Sequence, residues 1–172
     1  SLDLLSEHIE TKQHLPQNLL KALLDARFFQ SGMQTLRQIE FALFDLSIHK
    51  HNPALNAAQV QAILDDIRQK YAVAPTASYN RFQHSFSHIF AGGYAAGYYS
   101  YKWAEVLASD AFDRFEKEGV FNTQTGKEFR QFILAVGGKD TALDAFINFR
   151  GREPKIDALL RHQGWTNASK NT

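Results

Sequence analysis

The chain has 172 residues, 44% of them hydrophobic and 22% charged, which is enough apolar material for one globular domain and too much for a disordered chain. A net charge of +1, with dispersed basic residues, gives no support to partners such as nucleic acid or an anionic membrane. There is no cysteine, which excludes a disulfide scaffold and thiol catalysis. With no signal peptide or membrane-length apolar run in view, we expect a cytoplasmic protein.

Helical periodicity predicts an all-α fold, because the 4 prolines and 10 glycines fall between the periodic segments. We expect a single helical domain over residues 1–172, with helices at about Leu2–Lys12, Pro16–Leu24, Gln30–Lys50, Asn56–Tyr71, Ala96–Glu118, Thr125–Ala135, Asp140–Phe149 and Pro154–Leu160. Residues 72–80 are a connection, residues 81–90 are short, irregular or extended, and the polar tail from Thr166 is expected to fray.

A glycine-rich stretch runs from His88 to Trp103 and holds three glycines and four tyrosines. The pair Gly92-Gly93 gives the backbone access to positive φ. A turn there can bring peptide groups close to a ligand. We therefore expect a mobile Gly-rich loop at this point, with fast amide exchange from Ala91 to Tyr94, and at most a short hairpin beside it.

The tyrosines of this stretch have a helical spacing. Tyr94, Tyr98 and Tyr101 stand at i, i+4 and i+7, which places them on one face of a helix. Phenol hydroxyls donate and accept hydrogen bonds, so such a face suits a peptide backbone or a carbonyl oxygen. An aromatic core stripe is the alternative, but His88 and the two preceding glycines favour a binding site.

Metal chemistry within this chain is not expected. His84 and His88 have the i, i+4 spacing of two ligands on a helix, but Ser85 follows His84, so the pair is not an H-E-x-x-H zinc motif. His49-Lys50-His51 is interpreted as a solvated helix end. There is no Gly-x-Ser-x-Gly elbow and no phosphate loop.

Three carboxylates lie on predicted helices among apolar residues: Glu40, Asp45 and Glu105. A half-buried carboxylate on a helix is usually paired with a basic side chain, such as Arg37 beside Glu40. We therefore interpret them as structural ion pairs rather than acid–base catalysts.

The motifs resemble those of the thimet oligopeptidase-like zinc metallopeptidases, and most closely their bacterial branch. The resemblance rests on several segments in the same order: F-Q-S-G-M at residues 29–33, F-A-L-F-D at 41–45, H-I-F-A-G-G-Y-A-A-G-Y-Y-S-Y-K-W at 88–103 and F-R-G-R-E-P at 149–154. Members of that family are largely helical zinc-dependent oligopeptidases whose active site lies in a channel that admits short peptides.

The resemblance implies a specific role for this chain. The family binds zinc through an H-E-x-x-H helix and a downstream glutamate, and this chain would begin after both. It would then be the C-terminal, substrate-binding part of the enzyme, inactive alone, with short peptides and the remainder of the peptidase as its partners and no metal of its own.

The resemblance also implies roles for individual residues. His88, Tyr94 and Tyr101 match the family's substrate-binding segment, with Tyr98 a weaker candidate. Tyr101 would stabilise the oxyanion, and the Gly92-Gly93 loop would move over bound peptide.

A different class of function fits the same residues: a free-standing helical module that binds peptides or a partner protein through the tyrosine face. The reading frame upstream distinguishes the two interpretations. An H-E-x-x-H motif there supports the peptidase, and a nearby start codon without one supports the module.

Overall fold

The computed structural model describes residues 6–50 and 54–165, and all regular secondary structure in these ranges is helical. The α-helices are α1 (Gln17–Ala26), α2 (Ser31–His49), α3 (Ala57–Tyr71), α4 (Ser87–Phe90), α5 (Ser100–Glu118), α6 (Thr123–Phe129), α7 (Ala142–Arg150) and α8 (Asp157–His162). A 3₁₀ turn at Phe82–His84 and a π-helical turn at Arg130–Leu134 complete them. The all-α prediction is confirmed, and no helix in these ranges has both the length and the apolar composition to cross a bilayer.

The long helices begin and end where their sequence signals lie. Asn56 and Gln59 form a reciprocal capping box at the start of α3, with the Asn56 side chain accepting from the Gln59 N–H at 3.0 Å. Helix α5 ends at Gly119, whose φ of +104° takes the chain out of the helix. The predicted connection at residues 72–80 is also present.

The helix predicted at Leu2–Lys12 is wrong over its described part. The ring of His8 accepts the N–H groups of Glu10 and Thr11, at 3.3 and 3.1 Å, and closes a turn instead. Lys12 then has a φ of +60°. Residues 2–5 lie outside the described ranges, as does the tail from residue 166.

Three other helix starts differ by a few residues. Helix α6 begins at Thr123 rather than Thr125, because the Asn122 side chain accepts the N–H groups of residues 124 and 125. Helix α7 is capped by Thr141 rather than Asp140. Helix α8 begins at Asp157 rather than Pro154, since the Lys155 N–H is held by Asp110 at 2.7 Å.

Two hydrophobic cores lie along the chain. The first packs α2 against α3 and against residues 82–98, and its buried side chains are Phe44, Leu64, Ile67, Phe86, Ile89 and Tyr98. The second gathers α5, α6 and α7 around Ala111, Phe146 and Phe149. The start of α2 also contacts the C-terminal end of the described chain, because the Ser31 hydroxyl donates to the Gln163 carbonyl and the Trp165 indole donates to Ser31.

A buried ion-pair network fastens α7 and α8 to α5. Asp110 accepts from Arg150 and Arg152, and Asp113 accepts from Arg150 and Arg161, at 2.6–3.0 Å. Burial raises the pKa of Asp110, but hydrogen bonds from Arg152 and the Lys155 N–H, with the charges of Arg152 and Arg150, outweigh it and leave this pKa below its ordinary value.

Candidate functional site

The Gly92-Gly93 segment is a compact turn closed by backbone hydrogen bonds. The N–H groups of Ala91 and Gly92 donate to the Ser87 carbonyl at 2.7 and 2.8 Å, and the Tyr94 N–H donates to the His88 carbonyl at 3.1 Å. A Cβ at Gly92 would lie 2.9 Å from both the Cα and the carbonyl oxygen of His88, so the turn needs glycine there. Gly93 has a φ of +77°, the left-handed conformation that glycine tolerates.

The chain from Tyr94 to Tyr98 forms a second turn, which is anchored on Asp45 of α2. The Asp45 carboxylate accepts the Ala96 N–H and the Tyr98 N–H, one on each oxygen, both at 2.9 Å. Ala96 is left-handed, with a φ of +55°. Helix α5 therefore begins at Ser100 rather than Ala96, and the prediction that the three tyrosines share a helix face is wrong.

The rings nevertheless meet, because the turn brings them together. The ring of Tyr101 stacks on that of Tyr94 with centroids 5.0 Å apart, and Tyr98 packs edge-on against Tyr101 at 5.2 Å. The His88 ring lies 6.1–6.4 Å from each of the three. We call His88, Tyr94, Tyr98 and Tyr101 the tyrosine cluster.

Members of the tyrosine cluster differ in exposure. Tyr98 is only 9% exposed and belongs to the first core, and its hydroxyl donates to the Gln38 side chain at 3.0 Å. Tyr94 and Tyr101 are 36% and 39% exposed. Tyr98 thus has the environment of a core residue, whereas the stacked rings of Tyr94 and Tyr101 are partly exposed.

The surroundings of Tyr101 and Tyr98 raise their pKa values. A hydrogen bond with the Tyr94 side chain, followed by burial, raises the pKa of Tyr101 above its ordinary value. Burial raises the pKa of Tyr98, although the charge of Arg37 partly opposes it. A phenol is protonated at neutral pH with or without these shifts, so it can donate a hydrogen bond. Because the Tyr98 hydroxyl already donates to Gln38, Tyr94 and Tyr101 are the candidate donors to a ligand oxygen.

The carboxylates on the helices have three different kinds of partner. Glu40, 2% exposed, is held by Arg37 at 3.1 Å and by Arg68 at 3.0 Å, which confirms the predicted pairing. Glu105 pairs with Lys102 at 2.7 Å. Asp45 differs, since backbone N–H groups hold it, and this contact was missed from the sequence.

One signal for Asp45 was present in the sequence. It lies within an apolar helix segment, beside Phe44, with no lysine or arginine three or four residues away. His49 ends α2 and is exposed, as predicted, and its Nδ1 also lies 2.8 Å from an Asp45 carboxylate oxygen. His51 lies outside the described residues.

Across residues 6–50 and 54–165, no three His, Asp or Glu side chains converge as a potential metal site. The tyrosine cluster has the chemistry to bind a polar ligand, because its phenol hydroxyls can form hydrogen bonds beside packed aromatic rings. The cluster thus presents partly exposed phenols on a glycine-closed turn of an α-helical chain.

Comparison with known proteins places the chain in a family. The model of peptidase family M3 matches residues 1–165, so the chain belongs to that family. It is 50% identical to oligopeptidase A of Escherichia coli over 95% of this chain and 24% of that protein.

More distant relatives give the same result. The identity is 47% to a probable cytosolic oligopeptidase A of Arabidopsis thaliana, over 96% of this chain and 24% of that protein. It is 32% to saccharolysin of Saccharomyces cerevisiae, over 95% and 23%. The chain thus spans about a quarter of the length of the curated relatives it matches.

Proposed function

We propose that this chain is the C-terminal, substrate-binding part of a zinc-dependent oligopeptidase that cleaves short peptides. The observation that carries the proposal is the exposed, stacked pair of Tyr94 and Tyr101 beside His88, in a chain that belongs to peptidase family M3. A phenol hydroxyl donates a hydrogen bond, and the carbonyl oxygen of a peptide accepts one. The chain by itself is inactive in this proposal.

Each residue of the site has a distinct role in the proposal. Tyr101 donates to the oxygen of the scissile carbonyl as negative charge develops there, so its hydrogen bond strengthens in the transition state. Tyr94 stacks on Tyr101 and, with His88, contacts the peptide. Tyr98 packs against the Tyr101 ring and supports it, and its own hydroxyl donates to Gln38 rather than to the substrate.

The glycine turn is the backbone part of the same proposed site. Gly92 and Gly93 bring the chain within reach of a bound peptide, and movement of the turn over the substrate uses the freedom of Gly93. The zinc is held by residues outside this chain and supplies an activated water. No residue described here is assigned to it.

The proposed partners are short peptides and the remainder of the peptidase. An open apolar groove between α2, α5 and α8 offers a surface to that remainder, and its lining includes Ile39, Leu43, Leu46, Trp103, Leu160 and Trp165. A cytoplasmic location is part of the proposal, supported by the similarity to a probable cytosolic oligopeptidase A.

The test is Tyr101→Phe in the full-length peptidase, with kcat, KM and melting temperature measured together. Loss of one oxyanion donor lowers kcat by about 10²–10³, and KM changes much less. Tyr79→Phe is the matched control, since Tyr79 is 84% exposed and lies outside both the tyrosine cluster and the apolar groove. A lowered melting temperature with unchanged kcat would show that Tyr101 is only a packing residue.

A further inference from the structure

The Asp45 carboxylate is a buried charge whose contacts lead directly to the tyrosine cluster. It is 0% exposed, and its oxygens accept the N–H groups of Ala96 and Tyr98. In the described part of the chain no lysine or arginine lies within ion-pair distance of it, and His49 is its nearest basic group. A buried carboxylate satisfied mainly by backbone fixes the position of that backbone.

The turn that Asp45 holds is one that the chain does not adopt easily. Ala96 has a left-handed φ of +55°, which is unfavourable for a residue with a Cβ. This conformation aims two N–H groups to one side, where they form a small concave site for an anion. The carboxylate occupies that site and offsets the unfavourable backbone conformation.

The turn over residues 94–98 also determines the positions of the two rings that contact Tyr101, those of Tyr94 and Tyr98. Its last residue is Tyr98, whose ring packs against Tyr101 at 5.2 Å. Its first residue is Tyr94, whose carbonyl accepts the Gly97 N–H at 2.8 Å and whose ring stacks on Tyr101 at 5.0 Å. A displacement of residues 96–98 therefore moves both neighbours of the Tyr101 phenol.

We propose that Asp45 is a positioning residue for catalysis: by holding the Ala96 and Tyr98 N–H groups, it sets the alignment of the Tyr101 hydroxyl. This inference rests on the proposed function of the tyrosine cluster. Asp45 itself is fully buried, with its oxygens on backbone N–H groups of the turn, so it does not touch a ligand. Its effect on a reaction is therefore transmitted through Tyr94, Tyr98 and Tyr101.

The experiment uses Asp45→Asn in the full-length peptidase. An amide keeps the shape of the side chain but replaces one acceptor oxygen by a donor, so one of the two N–H groups faces another N–H. Because small misplacements of catalytic groups are costly, we expect kcat to fall by about 10- to 100-fold, with a smaller change in KM.

Glu40→Gln is the matched control. Glu40 is also a buried carboxylate on α2, but its partners are Arg37 and Arg68, and it does not contact the turn. We expect Glu40→Gln to lower the melting temperature at least as much as Asp45→Asn while leaving kcat near wild type, measured where both variants are folded.

A second measurement reports on the surroundings of the Tyr101 ring and needs no activity assay. Tyrosine labelled with ¹³C at the ring carbon that bears the hydroxyl gives a signal for Tyr101, assigned with Tyr101→Phe. This signal should move in Asp45→Asn and stay in place in Glu40→Gln. Should Asp45→Asn fail to fold, the double variant with Ala96→Gly is used, because glycine removes the cost of the left-handed turn.

The outcomes separate this inference from the proposed function. If Tyr101→Phe lowers kcat and Asp45→Asn does not, or if the Tyr101 signal is unchanged in Asp45→Asn, the inference is overturned and the proposed function stands. If Tyr101→Phe leaves kcat at wild type, the proposed function fails and the catalytic inference fails with it. Loss of kcat in Asp45→Asn, together with a moved signal, supports both.

Discussion

The glycine turn offers a quantitative prediction, because the space around each glycine is different. Alanine at Gly92 would place its Cβ 2.9 Å from two backbone atoms of His88, well inside the 3.4 Å at which ordinary contact begins. Backbone atoms cannot move aside as a flexible side chain can. We expect Gly92→Ala to destabilise the chain by about 1–3 kcal/mol, the usual cost of overpacking.

Neighbouring glycines provide matched controls of the same chemical change. At Gly93 a Cβ would meet nothing within 4 Å, but the φ of +77° remains, so Gly93→Ala should cost about 1–2 kcal/mol through backbone strain alone. At Gly97 the nearest atom is the Tyr94 carbonyl oxygen at 3.5 Å, an ordinary contact. Gly97→Ala should therefore stay within about 1 kcal/mol of wild type.

The assay is urea denaturation of the chain followed by circular dichroism. The free energies of unfolding are compared with one common m-value, the slope of free energy against urea concentration. In the full-length peptidase, Gly92→Ala should also raise KM, because His88 and Tyr94 are displaced with the turn. The reasoning fails if Gly92→Ala is as stable as Gly97→Ala. That result would mean that the turn opens freely and that His88 is not fixed by it.

Three further predictions follow from the structure. The folded-state pKa of Asp110 lies below its ordinary value of 3.8, so the stability it contributes is fully present above pH 3.8 and is lost as the pH falls from there through the lower folded-state pKa. In urea titrations at several pH values, Asp110→Asn should flatten this acid loss, and an unchanged dependence of stability on pH would contradict the network. In hydrogen exchange, Gly93 should exchange fastest in its turn, since the N–H groups of Ala91, Gly92 and Tyr94 have carbonyl partners. This replaces the fast exchange that the sequence alone predicted for all of residues 91–94; uniform rapid exchange there would contradict the new ordering and favour the earlier prediction. The chain alone should bind no stoichiometric zinc and hydrolyse no short fluorogenic peptide; chelator-sensitive hydrolysis by pure chain would refute the proposed division of the enzyme.

Much of the fold could be predicted from the sequence, because the signals involved are local. Asn56 with Gln59 marks the start of α3, and Gly119 marks the end of α5. The errors arose where a distant residue decides the outcome. Lys155 is held by Asp110, from 45 residues away, which delays the start of α8.

The candidate site shows the same limit more sharply. The spacing of Tyr94, Tyr98 and Tyr101 predicted that their rings lie together, and they do, but the helix face assumed for them does not exist. Asp45, 51 residues before Ala96, decides the backbone there. No pattern within residues 88–103 contains that information, so the correct residues were found with the wrong geometry.

The hydrogen bonds of Ser31 also have a consequence for the order of folding. They join residues 132 and 134 positions apart, whereas each of the two cores gathers residues much nearer in sequence. Closing so long a loop is entropically costly until most of the chain is already ordered. The contact between Ser31 and Trp165 should therefore form after the folding barrier, so that Ser31→Ala speeds unfolding and leaves the folding rate nearly unchanged.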